Sequence, residues 1–386
     1  MKNISLNLFF TTSTCFSYYK MKSNNGVVFC VLYALILAGG KGTRLYPLSR
    51  RENPKQFLKI VDNKSFLRNT VDRIKTLVSK DNIYVVTNEN YITRIYEDLP
   101  DIQKENIFTE PENKETATCI GLSAVKLLKK DNDATMIVLP SDHYIENEKE
   151  FIDTLKQGIE IVDKKRGLVT IGVEPTRPET GYGYIQMGDK ILNYESIYKV
   201  ERFLEKPNIE VAKDLLSKGN YLWNSGMFIW RADTYLREMN KYLPKMYKDM
   251  MEIYEAVGTE NEREVVNERY SMIEGISVDF GIMQKTRKGY VVKSNFDWDD
   301  LGNFSSLSRF LKDCNGTNSA SDNVFLEDTE NCSIFGDKNL IICFGVKDLI
   351  VVDAGNVVLI MDKNRDQELK HLVEELRNEK EIEEYL

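Results

Sequence analysis

The rhythm of hydrophobic and polar positions divides this chain into two parts. From Tyr33 onward, short apolar, β-branched runs alternate with longer stretches in which apolar residues recur every three or four positions. The runs Ala34–Ala38, Ile83–Thr87, Thr135–Leu139 and Leu168–Val173 predict strands, whereas Ser65–Val78, Glu115–Lys129 and Glu150–Val162 predict amphipathic helices. Apolar strands separated by helices imply βαβ units, hence an α/β fold with a mostly parallel sheet covered on both faces. In such sheets ligands gather outside the carboxyl ends of the strands. The turn after Ala38 and the Pro140-Ser141-Asp142 turn both fall there.

After Asp313 the helical pattern stops. The apolar runs Asn323–Leu326, Cys332–Phe335, Leu340–Phe344, Leu349–Val352 and Val357–Met361 recur about every nine residues, which predicts all-β coils or a small solenoid. A charged amphipathic helix over Gln367–Leu386 is expected to close the chain, and the loop Asn315–Asp322 to separate the parts. The expected organisation is a leader over residues 1–32, a main α/β domain over 33–314 and a β-coil domain over 323–386. The leader has neither the hydrophobic region nor the small-residue cleavage site of a signal peptide. The apolar run Val27–Ala38 has 12 residues, short of the ~20 of a membrane helix. A start at Met21 is expected to leave the fold intact.

Composition narrows the partners. Among 386 residues, 52 Lys and Arg stand against 60 Asp and Glu, a formal net charge of −8. Nucleic acid is thereby excluded as the main ligand, since phosphate backbones demand a basic face. Any phosphate must be met by a few local cations and backbone N–H groups. Six cysteines without C-x-x-C spacing, and two histidines, do not suggest a zinc site, and the thiols are expected to be reduced.

The candidate chemistry centres on Leu37-Ala38-Gly39-Gly40-Lys41-Gly42-Thr43-Arg44-Leu45-Tyr46-Pro47-Leu48-Ser49, followed by Pro54-Lys55. A strand running into three glycines lets a nucleotide approach the backbone and offers N–H donors to an anion. Arg44 and Lys55 add fixed positive charge. Leu45 breaks the dinucleotide pattern G-x-G-x-x-G, and no Lys-Ser or Lys-Thr follows the last glycine as in a P-loop. Asp142, directly after a strand, suits either a Mg²⁺ ligand or a helix cap. Asp297, Asp299 and Asp300 read as a solvated acidic turn, and Lys206 as an exposed hairpin lysine or a phosphate-binding cation.

The glycine string and its Pro-Lys resemble the signature of the sugar nucleotidyltransferase superfamily. Further segments resemble its mannose-1-phosphate guanylyltransferases: Asn53-Pro54-Lys55-Gln56-Phe57, Leu139-Pro140-Ser141-Asp142-His143, Thr180-Gly181-Tyr182-Gly183-Tyr184-Ile185, Phe203-Leu204-Glu205-Lys206-Pro207, Trp223-Asn224-Ser225-Gly226 and Phe296-Asp297-Trp298-Asp299-Asp300-Leu301-Gly302. The resemblance implies a Rossmann-like catalytic domain with a mixed, mostly parallel sheet, and a small C-terminal β-helix-like domain. It implies in-line, Mg²⁺-assisted transfer between GTP and mannose 1-phosphate, giving GDP-mannose and pyrophosphate. Ala38, Gly39, Gly40, Gly42, Thr43 and Arg44 would bind the nucleotide, with Arg44, Lys55 and Lys206 catalytic. Gly183, Glu205 and Asn224 would bind the sugar, and Asp142 and Asp300 the metal. The rivals are the same chemistry on glucose 1-phosphate with UTP or dTTP, and a non-catalytic nucleotide-sugar sensor. A cytoplasmic protein without membrane partner is implied, with a homodimer as the candidate assembly. One segment departs from the family pattern: where relatives carry E-P-x-x-R-N-T-A-P-A-I, Lys114-Glu115 replaces Arg-Asn and Thr118-Cys119 replaces Pro-Ala.

Overall fold

Two strands, Tyr18–Ser23 (β1) and Gly26–Leu37 (β2), pair antiparallel, so β structure begins well before Ala34 and inside the expected leader. The computed structural model describes residues 18–23, 26–40, 42–60, 63–314 and 317–386. Residues 1–17 of the leader, and Asn315 and Gly316 of the expected boundary loop, lie outside them. Contacts group the described residues into two units. The first runs to Gly39 and resumes over Val71–Pro140 and Ile145–Asp297; the second comprises Gly40–Thr70, Ser141–Tyr144 and Trp298–Leu386.

The first unit is built on one mixed sheet. Ile83–Asn88 (β3), Ile107–Glu110 (β4) and Thr135–Pro140 (β5) join β2 in the parallel order β4-β3-β2-β5. After the two-residue strand Tyr144–Ile145 (β6) come Leu168–Val173 (β7), Tyr184–Lys190 (β8), Ile197–Leu204 (β9), Tyr221–Arg231 (β10) and Gly289–Lys293 (β11). They extend the sheet as β5-β10-β7-β11-β9-β8, with β10 antiparallel to both neighbours and β7 parallel to β11. The sheet is thus parallel at one end and largely antiparallel at the other.

The helices are Phe66–Ile74 (α1), Ile92–Asp98 (α2), Glu115–Lys130 (α3), Glu148–Lys165 (α4), Ile209–Lys218 (α5), Ala232–Tyr242 (α6), Pro244–Ala256 (α7) and Glu262–Met272 (α8). Helix α4 starts two residues before its apolar pattern because Asn147 caps it, accepting from Glu150 N. Helix α3 buries Ala117, Ile120, Ala124, Val125 and Leu127, and places Lys129 and Lys130 at its negative C-terminal end. A stack of Phe228, Trp230 and Tyr235, with centroids 5.1 and 4.9 Å apart, fastens β10 to α6. Each such pair adds about 0.5–1.5 kcal/mol beyond its buried area.

The second unit carries the C-terminal coils. Its elements are Trp298–Asp299 (β12), Phe304–Leu307 (α9), Lys312–Cys314 (β13), Asn318–Ala320 (β14), Val324–Glu327 (β15), Ser333–Phe335 (β16), Ile341–Phe344 (β17), Leu349–Asp353 (β18), Val358–Asp362 (β19) and Leu369–Leu376 (α10). Strands β14, β16 and β18 stack parallel in one sheet and β15 and β17 in another. Val324 pairs with Ile341 and Ser333 with Ile350, a step of 17 residues per coil. The nine-residue rhythm of the sequence is therefore half a coil. The expected closing helix is broken: only Leu369–Leu376 is α-helical, with 3₁₀ turns on either side. Leu369 and Val373 are buried there, whereas Glu379, Glu381, Glu383 and Glu384 repel one another and oppose the C-terminal end of a helix.

One core cluster of this unit joins the ends of the chain. Leu45, Tyr46, Leu58 and Phe66 pack with Leu301, Phe304, Phe335, Ile350, Val352, Leu369 and Val373. Burying each large apolar side chain is worth about 1.5–3 kcal/mol. The coils thus floor the segment that follows the glycine loop.

Candidate active site

In the first unit, β2 leads to the start of the loop. Ala38 is fully buried and donates its N–H to the Val86 carbonyl of β3 at 2.8 Å. Gly39 lies beside the Glu110 carboxyl at the end of β4, where an added Cβ would sit 3.5 Å from Oε2.

The second unit takes up the chain at Gly40, where an added Cβ would meet nothing within 4 Å. Lys41 lies outside the described residues. Gly42 has φ 60°, and a Cβ there would come within 2.8 Å of the Lys55 Cβ. Thr43, Arg44 and Leu45 form a short 3₁₀ turn that buries Leu45. Arg44 is half-buried and makes no hydrogen bond or ion pair with the described residues.

Lys55 is the focus of this unit's polar residues. It is buried, with Nζ 2.7 Å from Asp142 Oδ2, and it donates to the Asp300 carbonyl at 2.5 Å. Burial pushes the Asp142 carboxyl up, but the Lys55 ammonium and His143 outweigh it and hold Asp142 below the usual carboxylate range. The His143 imidazole is pushed down by burial, against the pull of Asp142, Asp300 and Asp299. It stays neutral, which lets Nδ1 accept from Trp298 Nε1 at 3.1 Å.

The acidic turn sorts its three carboxylates. Asp297 is exposed, in line with a solvated turn. Asp299 is not solvated: it is buried, accepts from Leu301 N at 2.8 Å and pairs with Arg309. It holds the turn that presents its neighbour. Asp300 accepts from Gly302 N at 2.9 Å while its carbonyl holds Lys55. One carboxylate, that of Asp142, and one backbone carbonyl, that of Asp300, therefore hold Lys55, and the three residues come from distant stretches of sequence. Oxygen donors such as the Asp142 and Asp300 carboxylates suit Mg²⁺, which takes one or two carboxylates and keeps waters and phosphates for the rest.

The first unit also gathers the residues expected to bind sugar. Asn224 lies where β10 shifts register on β7; its Oδ1 accepts from Thr170 Oγ1 and Gly226 N, both at 3.2 Å. Glu205 follows β9, its side chain 9% exposed. Gly183 leaves it room, because a Cβ there would overlap Glu205 Oε2 and lie 3.3 Å from Asn224 Cβ. Burial, then the Asp279 charge, lifts the Glu205 carboxyl to about 7, against Lys206. Lys206 has φ 48° and its Nζ lies 3.5 Å from Glu205 Oε1.

Two residues escaped the sequence reading. Asp279 accepts from Asn224 Nδ2 at 2.8 Å. It is the only charge in the small and apolar stretch Gly275–Gln284, a signal that was readable. Glu110 accepts a hydrogen bond from Tyr270, and burial lifts its carboxyl to about 7 even so. No spacing links those two, which are 160 positions apart. The departing segment shows its own cost: Glu115 has φ 66°, a left-handed position that Asn tolerates better than Glu.

Comparison with known proteins identifies the family. The profile of the family described as Nucleotidyl transferase matches residues 33–315, and that of the MannoseP isomerase/GMP-like beta-helix domain matches residues 322–376. A mannose-1-phosphate guanylyltransferase of Salmonella montevideo is 38% identical over 352 residues, covering 89% of this chain and 74% of that protein. One from Klebsiella pneumoniae is 35% identical, covering 90% and 74%. A Thermus thermophilus crystal structure, described as mannose-1-phosphate geranyltransferase, superposes with TM-score 0.80 at 30% identity, covering 89% of this chain and 99% of that one. No helix among the described residues is long and apolar enough to cross a membrane.

Proposed function

This chain belongs to the nucleotidyl transferase family, among the relatives of mannose-1-phosphate guanylyltransferases, and from that premise we propose that it makes GDP-mannose. A phosphate oxygen of mannose 1-phosphate attacks the α-phosphorus of GTP in line; the new P–O bond forms as the bond to the β-phosphate breaks, and pyrophosphate leaves. The protein's part is positioning and charge.

The observation that carries the reading is the convergence on Lys55 of the glycine loop, Asp142 and Asp300. The N–H groups of Ala38, Gly39, Gly40, Gly42 and Thr43 would face the nucleotide. Arg44, half-buried and unpaired among the described residues, awaits an anion, which fits the triphosphate. Lys55 would keep Asp142 ionised and stabilise the departing pyrophosphate. Asp142 and Asp300 are the residues that would hold Mg²⁺, which when bound withdraws charge from the phosphate under attack. Lys206 would steady the attacking phosphate; Glu205, Asn224 and the backbone at Gly183 would receive the sugar.

The compartment we assign is the cytoplasm, and the assembly a homodimer. Phe325, Ile342 and Phe344 on β15 and β17 are more than half exposed although their strands are also apolar inward, which favours a covered face. Sedimentation velocity would report a monomer if that is wrong. The activity is tested by a panel of GTP, ATP, UTP and dTTP against mannose and glucose 1-phosphates, followed by pyrophosphate release. GTP with mannose 1-phosphate should give the highest kcat/KM. A higher value for UTP or dTTP with glucose 1-phosphate would overturn the substrate choice.

A further inference from the structure

Glu205 Oε2 is a buried acceptor without a hydrogen-bond partner, on a side chain nine-tenths buried. Leaving such an atom unpaired costs roughly 1–3 kcal/mol, so a donor is expected to reach it. A second carboxyl, Asp279, is close enough for its charge to act on Glu205, and it is fixed by the Asn224 amide at 2.8 Å. Asp279 opens the π-turn Asp279–Met283, a rare geometry that recurs at functional sites. The Thr170 hydroxyl and Gly226 N both donate to Asn224 Oδ1, so the amide orientation is set and its N–H groups face Asp279.

We propose that Asp279 is a specificity-determining residue of the sugar subsite, where it, fixed by Asn224, and Glu205 accept hydrogen bonds from adjacent hydroxyls of the sugar ring. This inference rests on the sugar 1-phosphate reading given above. A sugar brings vicinal O–H donors, the groups that an unpaired carboxylate oxygen lacks. Asp279 would act twice, by taking one hydroxyl and by holding Asn224 in place for its neighbour.

The electrostatics agree. Burial raises the Asp279 carboxyl, against its hydrogen bond from Asn224 and the charge of Lys206, and with the added repulsion of Glu115. The Tyr235 hydroxyl of α6 also senses Asp279 and stays neutral, pushed up chiefly by burial. Glu205 faces Asp279 and Lys206 and sits at about 7. Near neutral pH the empty pair therefore retains a proton for part of the time. Hydroxyl donors favour the ionised carboxylate, so sugar phosphate binds more tightly as that proton leaves. The KM for the sugar 1-phosphate should fall as pH rises through about 7.

The test is Asp279→Asn in the full chain, with KM and kcat for each substrate measured from pH 5.5 to 8.5. We expect KM for mannose 1-phosphate to rise about tenfold or more, KM for GTP to stay within about twofold, and the KM midpoint to move to lower pH because the repulsion on Glu205 is gone. Unchanged sugar KM, or an equal rise in both KM values, would overturn the proposal. If the variant does not fold, Glu205→Gln decides beside the unaltered enzyme: a fall of sugar KM across neutral pH that weakens in Glu205→Gln supports the pair, and identical profiles overturn it, since the substrate's own phosphate titrates alike in both. Should glucose 1-phosphate prove the true substrate, the functional reading fails while the same measurements, made with that sugar, still judge Asp279.

Discussion

Asn in place of Asp142, Asp300 or Asp299 is the same exchange made at three carboxylates, and the structure assigns each a different outcome. At Asp142 it leaves the buried Lys55 ammonium facing a neutral amide and one carbonyl. Breaking a fully buried pair costs about 3–5 kcal/mol. Because the Asp142 side chain is 30% exposed, water screens the pair and about 1–2 kcal/mol is expected. At Asp300 an Asn still accepts from Gly302 N, and the backbone carbonyl still holds Lys55, so stability should change by under about 0.5 kcal/mol. If both carboxylates serve the metal, each exchange should lower kcat about 10²-fold or more. The double variant should be little worse than the worse single one. At Asp299 an Asn still holds Leu301 N but loses Arg309, which is half exposed, so about 1 kcal/mol of stability should go while turnover stays within a few-fold. Pyrophosphate release titrated with Mg²⁺, beside thermal melts of each variant, separates these cases. A fully active Asp300→Asn at limiting Mg²⁺ would refute the metal assignment. An inactive Asp299→Asn with an unchanged Tm would show that the two neighbours have been given each other's roles.

Gly42→Ala combines a left-handed φ with a Cβ 2.8 Å from that of Lys55, so Lys55 must shift; kcat/KM should drop about 10²-fold, and wild-type turnover would refute the close approach. Glu115→Asn should raise stability by about 0.5–1 kcal/mol in denaturant unfolding, because Asn accepts φ 66° more readily; no gain would show that the Glu115 side chain compensates. Glu110 moves from an ordinary 4.5 to about 7 on folding, so the folded chain keeps a proton that the unfolded chain releases. Its share of stability is complete below about 4.5 and lost as pH rises through about 7, by up to about 3 kcal/mol. Glu110→Gln should flatten Tm against pH across that window, and an unaltered slope would refute the assignment.

Much of the fold was legible because the parallel strands are buried on both faces and write unbroken apolar runs, as at Leu168–Val173. Strands β8 and β9 did not announce themselves: polar residues such as Gln186, Arg202 and Glu201 interrupt them, since antiparallel strands near the sheet edge keep a wet face. For the site, types and order were readable but partnerships were not. Composition and spacing left Asp297, Asp299 and Asp300 alike, the family resemblance singled out Asp300, and the pairing of Asp299 with Arg309 gives the physical reason that Asp299 is scaffold. Asp279 stood out as the lone charge of its apolar stretch, but its partnership with Asn224, 55 residues earlier, was not written in any spacing.

The core beneath the glycine loop has a consequence for biosynthesis. Leu45 is made early, but its packing partners Leu369 and Val373 leave the ribosome about 320 residues later. At about 5–20 residues per second, that is a delay of roughly 15 to 65 s. During it the parallel sheet can already form, while Leu45, Tyr46, Leu58 and Phe66 await their floor. A nascent or prematurely terminated chain would then display a well-made sheet with a loose phosphate loop, exposing apolar surface to chaperones and proteases. Helix α10 thus couples the ordering of the phosphate loop to the synthesis of residues that follow the coils.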